Sequence, residues 1–523
     1  MTATVTKAPA TAGLRDALVA AVGAGALLDG EADRLVASHD VYAAGGEPLA
    51  IVRPADVSAL QAAVRACAAA GVPMVPRGGG ASYTDGYLLP SGGHVLFDLG
   101  GLDFVEVDAV NAVVRVGAGT TWAALKAALD PFGLRTPFWG PFSGIAATVG
   151  GSVSQNTISH GSGRHGISAG SVVDIEVVLA DGTLMHSSPS RATRNFGPDM
   201  TGLFTGDCGA LGFKAALTLP LLKVQPAFEA LSFAFETLGG YHAMVSNASV
   251  EQLDDEHFGV DLVLSQGQIG KQQGISARVG IARDIMRSAP GFFAGVRQLA
   301  RMAVAGEGAL TAANYMAHFI VEGVDDQEVQ AKARRLRAIA RPIGMEIANT
   351  VPAFVRAMPF APLTNILGPK GERWVPLHGI LSHDQVLPFH EAFTAFLAER
   401  QAEMQVHGLV VGTMFSSVGS TGILYEIALY WPDSRTPYHQ ATLDEATLAA
   451  LPTYPESTAN RSYVEQFKSA LIDLFGRFGA AHFQIGRAYP YLDRLDPAQA
   501  ALLRAVKAQL DPRGLMNPGV LGL

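Results

Sequence analysis

The sequence predicts an α+β protein of two main domains, a glycine-looped one followed by a second that mixes strands and helices. Three observations over its 523 residues support that class. A helix-then-strand pattern ends in a triple glycine at Gly78–Gly80. A second glycine-rich tract runs from Trp139 to Gly166 and feeds another strand. Beyond residue 227 the texture changes, and strand-like runs such as Thr421–Trp431 alternate with helical ones such as Asp326–Ile343.

Leu14–Ser38 reads as one or two small helices in an N-terminal segment, 1–41. Pro54–Ala70 carries Val57, Leu60, Val64 and Cys67 at three- and four-residue spacing, the stripe of an amphipathic helix, and Gly71 ends it. Strand-like Val72–Val75 then delivers Pro76, Arg77, Gly78, Gly79, Gly80, Ala81 and Ser82. Three glycines strip a tight turn of side chains, so backbone N–H groups can converge on an anion such as a pyrophosphate. Arg77 adds a fixed cation and Ser82 a hydroxyl donor. Taken alone, the same triplet also fits a flexible surface turn. Strand-like Phe104–Val107 and Ala112–Val116 follow. Thr120 or Thr121 then caps a helix bearing Trp122, Leu125 and Leu129 on one side.

The second tract holds Ser143, Thr148, Gly150, Gly151 and Ser154, then His160, Gly161, Arg164 and His165. Strand Val172–Ala180 comes next, with an Asp181-Gly182 hairpin turn and a return through Leu184. The order of these pieces, from about Tyr42 to Leu222, resembles the FAD-binding domain of the vanillyl-alcohol oxidase and p-cresol methylhydroxylase superfamily. The C-terminal Asn517-Pro518-Gly519 is similar to the ending of its D-lactate, glycolate and 2-hydroxyglutarate dehydrogenase subgroup. The resemblance implies an FAD-binding domain at 42–226, a substrate (cap) domain at 227–462 with an antiparallel sheet roofing the flavin, and a C-terminal segment, 463–523, returning to FAD. It also implies cofactor contacts from Pro76 through Ser82 and from Ser143, Thr148, Gly150, Gly151, Ser154, His160, Gly161, Val177 and Asn517.

Composition fits a cytoplasmic enzyme. The net charge of −9 argues against nucleic acid or an anionic membrane as partner. No segment reaches the roughly 18 apolar residues of a membrane span, and the N-terminus lacks the pattern of a signal peptide. Cys67 and Cys208 are the only cysteines, too few for a disulfide framework or a thiolate-held cluster. Cys208 reads as small and buried.

The family resemblance implies an oxidoreductase, an oxidase or dehydrogenase, that moves a hydride from an alcohol or hydroxy-acid C–OH to flavin N5. Oxidation of a para-substituted phenol is the alternative, and non-redox adduct chemistry a third. Such chemistry needs a proton acceptor for the hydroxyl and charge stabilisation near the ring. The segment Ala481–Asp493 concentrates His482, Arg487, Tyr489 and Tyr491, with Arg487 suited to fork onto a carboxylate or phenolate. It also fits a buried helix-to-strand junction with hydrogen-bonded polar tips. Glu426 and Tyr430 share parity on the Tyr425–Trp431 strand and project from one face, as a base and a hydrogen-bond donor or as a solvent-facing pair. The resemblance to sugar-lactone oxidases gives His160 a place near the flavin; a backbone-satisfied loop histidine is the other reading.

No metal is expected: the paired-histidine motif of the hydroxy-acid subgroup is absent, and the nearest region, His407–Met414, offers one histidine. FAD is expected to be non-covalent, because Ala81 stands where linked relatives often carry histidine, with His242, His318 and His378 as the residual linkers. The expected partners are a small-molecule substrate and either oxygen or an electron-acceptor protein, with a homodimer left open.

Overall fold

The computed structural model describes residues 13–190, 192–265, 314–361 and 363–523. Every site residue named from the sequence falls among them, whereas the stretches 1–12 and 266–313 of the expected segments lie outside the described residues.

Two sheets build the first part. Leu27–Leu28, Ala50–Val52, Val95–Asp98 and Met74–Arg77 lie in that order, the last three paired in parallel. The helix Val57–Ala70 starts where the Asp56 side chain accepts the Ala59 N–H, and it stops at Gly71 in the left-handed conformation (φ 65°). It buries Leu60, Ala63, Val64 and Cys67, largely the stripe read from the sequence. Each large apolar side chain so buried contributes about 1.5–3 kcal/mol. The second sheet is antiparallel, ordered Val105–Asp108, Val113–Gly117, Phe213–Pro220, Asp174–Val178 and Leu184–His186.

The other large unit is a seven-stranded antiparallel sheet. Its order is Met345–Ile347, Ala227–Phe235, Tyr315–Gly323, Glu256–Asp261, Val410–Val418, Gly422–Trp431 and Arg373–Leu381. Helix Asp326–Ala340 lies on one face of this sheet, with Val329, Ala333, Leu336 and Ala340 buried. Cross-strand register fixes what the opposite face presents. His378 and Met414 both stand opposite Glu426, Pro376 and Gly412 opposite Ala428, and Trp374 and Val410 opposite Tyr430. Because strand side chains alternate, these residues form three rows on one face.

The chain end folds back onto the first part. Helix Pro497–Leu510 spans the range read from the sequence, and beyond it Met74 N–H bonds to Leu515 O and Asn517 N–H to Met74 O. Among the described residues no helix is long and apolar enough to cross a membrane.

Candidate functional site

The two glycine tracts need glycine because they touch each other. A Cβ on Gly79 would sit 1.7 Å from Ala146 O, and one on Gly78 would sit 2.4 Å from Thr148 Oγ1. Gly80 takes φ +73°, and Gly209 brings a third backbone segment against Pro76. The N–H groups of Gly78, Gly79, Gly80 and Ala81 have no protein acceptor among the described residues. Beside them the Arg77 Nε is buried with no hydrogen-bond partner, and the guanidinium lies 5.4 Å from the Tyr87 ring centre. Unpaired donors and a cation converging on bare backbone make an anion cradle.

From this cradle a cavity of about 1300 Å³ runs past the second tract to the open face of the seven-stranded sheet. Drug-sized ligands occupy pockets of roughly 300–1,000 Å³, so this volume holds a dinucleotide together with a small substrate. Trp374, Pro376, Met414, Glu426, Ala428 and Tyr430 form its roof, and Phe142, Phe258, Phe354 and Phe483 line its sides.

Glu426 is the polar centre of that roof. Its carboxyl has no hydrogen-bond or ion-pair partner among the described residues, and burial pushes it up to about 7. Tyr83, one residue beyond the first loop, also lines the cavity. Its hydroxyl lies 3.0 Å from His378 Nε2, and burial, then the nearby Glu426 carboxyl, hold its phenol well above the usual range. His378 is fully buried, stacked on Phe483 at 4.2 Å, and burial lowers it to about 3.

The structure brings many of the sequence-derived residues together. Pro76, Arg77, Gly78, Gly79, Gly80, Ala81, Ser82, Ser143, Thr148, Gly150, Gly151, Ser154, Glu426 and Tyr430 all border the one cavity. Eight others stand elsewhere. Arg487 does not face the cavity: its guanidinium donates to Asp85 O, Gly86 O, Asn517 Oδ1 and Pro518 O, which uses its fork to fasten the chain end. Asn517 likewise donates to Gly86 O and Cys208 O, supporting the loop from behind. Tyr489 is buried against His378, His482 stacks on Tyr489 at 4.1 Å with Nδ1 on His378 O, and Tyr491 opens the short helix Tyr491–Arg494. His160 is wholly buried, held by the Glu256 carboxyl and Pro359 O and stacked on Trp139. Gly161 is required by Pro137 O, 2.2 Å from where its Cβ would be, and Val177 is strand core. None of the eight borders the cavity; the side chains of Arg487, Asn517, Tyr489, His482 and His160 bond to other parts of the chain, with the Arg487 Nε left buried and unpartnered.

Sequence reasoning missed Tyr83, Gln484, Trp374 and the loop-shaping Lys214–Asp207 pair, all at or beside the cavity. The position of Tyr83 directly after the glycine loop was the available signal for it.

Comparison with known families decides what the cradle is for. Residues 48–188, containing both glycine tracts, match the FAD binding domain. The chain carries an FAD-binding domain. Residues 485–521, containing Arg487 and Asn517, match the C-terminal domain of FAD linked oxidases. The bare-backbone cradle, the unpaired Arg77 Nε and the cavity volume all fit that cofactor. Glycolate oxidase subunit GlcD of Bacillus subtilis is 28% identical over 220 residues, 42% of this chain and 47% of that protein. The match thus spans about half the length of that relative. The solved structure of p-cresol methylhydroxylase with substrate bound aligns with a TM-score of 0.72 at 14% identity, over 99% of this chain and 98% of that one. An alkyldihydroxyacetonephosphate synthase structure aligns at 0.70 and 14%, over 99% and 87%. At that identity the likeness is one of fold.

Proposed function

We propose that this FAD-binding chain is an oxidoreductase that oxidises the C–OH group of a small-molecule substrate. The observation that carries the reading is Glu426: an unpartnered carboxyl, pushed up to about 7, on the cavity roof. FAD, when bound, supplies the acceptor for the hydride that leaves the substrate carbon. Pro76–Ala81, Thr148, Gly150 and Gly151 hold the cofactor, with Arg77 offsetting its phosphate charge. Glu426 takes the substrate hydroxyl proton, and a base that titrates near neutrality is matched to that task. Tyr83 hydrogen-bonds the same oxygen, while Trp374, Phe483 and the other apolar walls keep water away from it.

Oxidation of a para-substituted phenol stands as the alternative: the commitment of Arg487 to the chain end removes the anchor read from the sequence for a carboxylate and a phenolate alike, and p-cresol methylhydroxylase shares the fold. FAD is proposed to be non-covalent: Ala81 offers no nucleophile in the first loop, and none of the 14 histidines borders the cavity, whereas Cys208, Tyr83, Tyr87 and Tyr430 do. We further propose that 42–226 and 463–523 form the cofactor part and 227–462 the cap. A cytoplasmic location and reoxidation by oxygen or an acceptor protein complete the reading. The similarity to glycolate oxidase subunit GlcD supports the C–OH class.

The test is anaerobic flavin bleaching across alcohols, hydroxy acids and phenols, with and without Glu426→Gln. A C–OH compound should bleach the wild type, and the variant should be slowed at least about a hundredfold, the lower end of the range for general-base removal, with FAD content unchanged. Equal rates would eliminate Glu426 as the base.

A further inference from the structure

We infer that His378 is a positioning residue: as the buried Nε2–H tautomer, oriented by Tyr489, it fixes Tyr83 as a hydrogen-bond donor into the cavity. The inference rests on the proposed C–OH oxidation only for its functional half.

The polarity follows from counting protons around two buried rings. The Tyr489 hydroxyl accepts the His378 backbone N–H at 3.0 Å. Its own proton then needs an acceptor, and the partner at hand is His378 Nδ1 at 3.3 Å. Tyr489 is only 3% exposed, so water is not an easy substitute. Nδ1 must therefore be bare. A neutral imidazole carries one proton, which then sits on Nε2, the atom 3.0 Å from the Tyr83 hydroxyl. Tyr83 Oη thus receives a hydrogen bond from His378 and a second from the Gln484 side chain, and its own O–H is left to turn toward the cavity that Tyr83 and Gln484 line.

The opposite tautomer fails on the same count. An Nδ1–H would point at a Tyr489 oxygen already receiving a backbone N–H, leaving a buried hydroxyl proton without acceptor. A doubly protonated imidazolium has the same conflict, and the burial that lowers His378 to about 3 opposes it. Packing holds the ring in place: Phe483 stacks on it at 4.2 Å, and the His482 Nδ1 atom lies 2.6 Å from the His378 carbonyl. His378 and Glu426 are cross-strand partners, so one rung of the sheet sets both the donor's orientation and the base. A substrate hydroxyl between Tyr83 and Glu426 would accept from one and donate to the other. Such a pair suits a neutral hydroxyl better than an anion, which could not donate to Glu426.

Two measurements test this. In the FAD-loaded protein with ring-labelled [15N]histidine, the His378 nitrogens report the tautomer directly. Their signals are assigned by loss in His378→Gln or displacement in Tyr83→Phe. A protonated Nε2 and bare Nδ1, unchanged between about pH 5 and 8, is the expected result. A protonated Nδ1, or titration in that window, overturns the inference whatever the enzyme does. For function, flavin reduction at saturating substrate should fall roughly tenfold in His378→Leu and recover to within about threefold in His378→Gln, whose amide restores a donor near Nε2. His378→Leu combined with Tyr83→Phe should be no slower than Tyr83→Phe alone. Equal losses in Leu and Gln variants, or additive losses in the double variant, refute action through Tyr83. If no hydroxyl compound bleaches the flavin, the proposed reaction fails, and the nitrogen signals still decide the tautomer.

Discussion

Replacing Gly79 with alanine should separate the two glycine tracts and weaken FAD binding. The added Cβ would stand 1.7 Å from Ala146 O, and the neighbour is main chain rather than a side chain that can swing aside. The tracts must part by about 1.3 Å before that contact relaxes to 3.0 Å, the shortest that Cβ atoms ordinarily tolerate. Overpacking of this kind costs about 1–3 kcal/mol. If the whole cost falls on the cofactor-bound state, FAD affinity drops roughly five- to 150-fold at 1.4 kcal/mol per decade. The assay is titration of apoprotein with FAD, read by quenching of flavin fluorescence, with thermal unfolding as a check on folding. Gly25→Ala is the control, because nothing lies within 4 Å of its Cβ position. Equal FAD affinity in Gly79→Ala and wild type, with both folded, would refute the claim that contact between the tracts builds the cradle.

Acid precipitation should release yellow flavin into the supernatant; flavin retained in the pellet would show a covalent bond and overturn the cavity-lining argument. Arg487→Ala should lose FAD and melt at a lower temperature, since its fork ties Asp85, Gly86, Asn517 and Pro518 together. A folded, FAD-replete Arg487→Ala protein that fails only in substrate capture would restore the direct role. The rate of flavin reduction should rise with pH through about 7 as Glu426 loses its proton, and Glu426→Gln should flatten that limb. Stability has the opposite sign. The folded carboxyl titrates at about 7 against a usual 4.5, so Glu426's contribution declines as pH rises from 4.5 toward 7. That linkage is on the order of 3 kcal/mol at most, and Glu426→Gln should remove it from the pH profile of thermal unfolding.

The cofactor half was legible because its signals are local. A triple glycine, a second tract and an Asn-Pro-Gly ending need no knowledge of distant contacts, and they led to most of the cradle. Strand parity also worked at Glu426 and Tyr430, since alternation along one strand decides which face a residue joins. It gave no guide at 481–493 because no strand runs there. Gln484 and Gly486 take positive φ values of 50° and 55°, so the chain turns twice within three residues. Phe483 and Gln484 consequently line the cavity while Arg487 is rotated toward the chain end. His378 was invisible as a partner of Tyr83 for a different reason. Their contact joins residues 295 apart in sequence, and only sheet register and the packing of the two parts bring them together.

That packing rests on ionic and hydrogen-bonded ties between the two parts. Arg164 meets Asp255 at 2.7 Å and Arg135 meets Glu322 at 3.2 Å, each pairing a residue near the second tract with one on the sheet unit. His160 does the same toward Glu256, and Tyr438 donates to Gly80 O at 3.0 Å, reaching the first loop itself. The carboxylates in these ties are largely buried, and Asp255 and Glu322 are each met by two arginines, Arg164 with Arg135 and Arg135 with Arg356, so these cations form one shared network rather than lone pairs. His160, read from the sequence as a candidate flavin neighbour, is one of these ties, and we propose that such residues act one step back. They set where the sheet face stands over the cradle, and so where Glu426 meets whatever lies there.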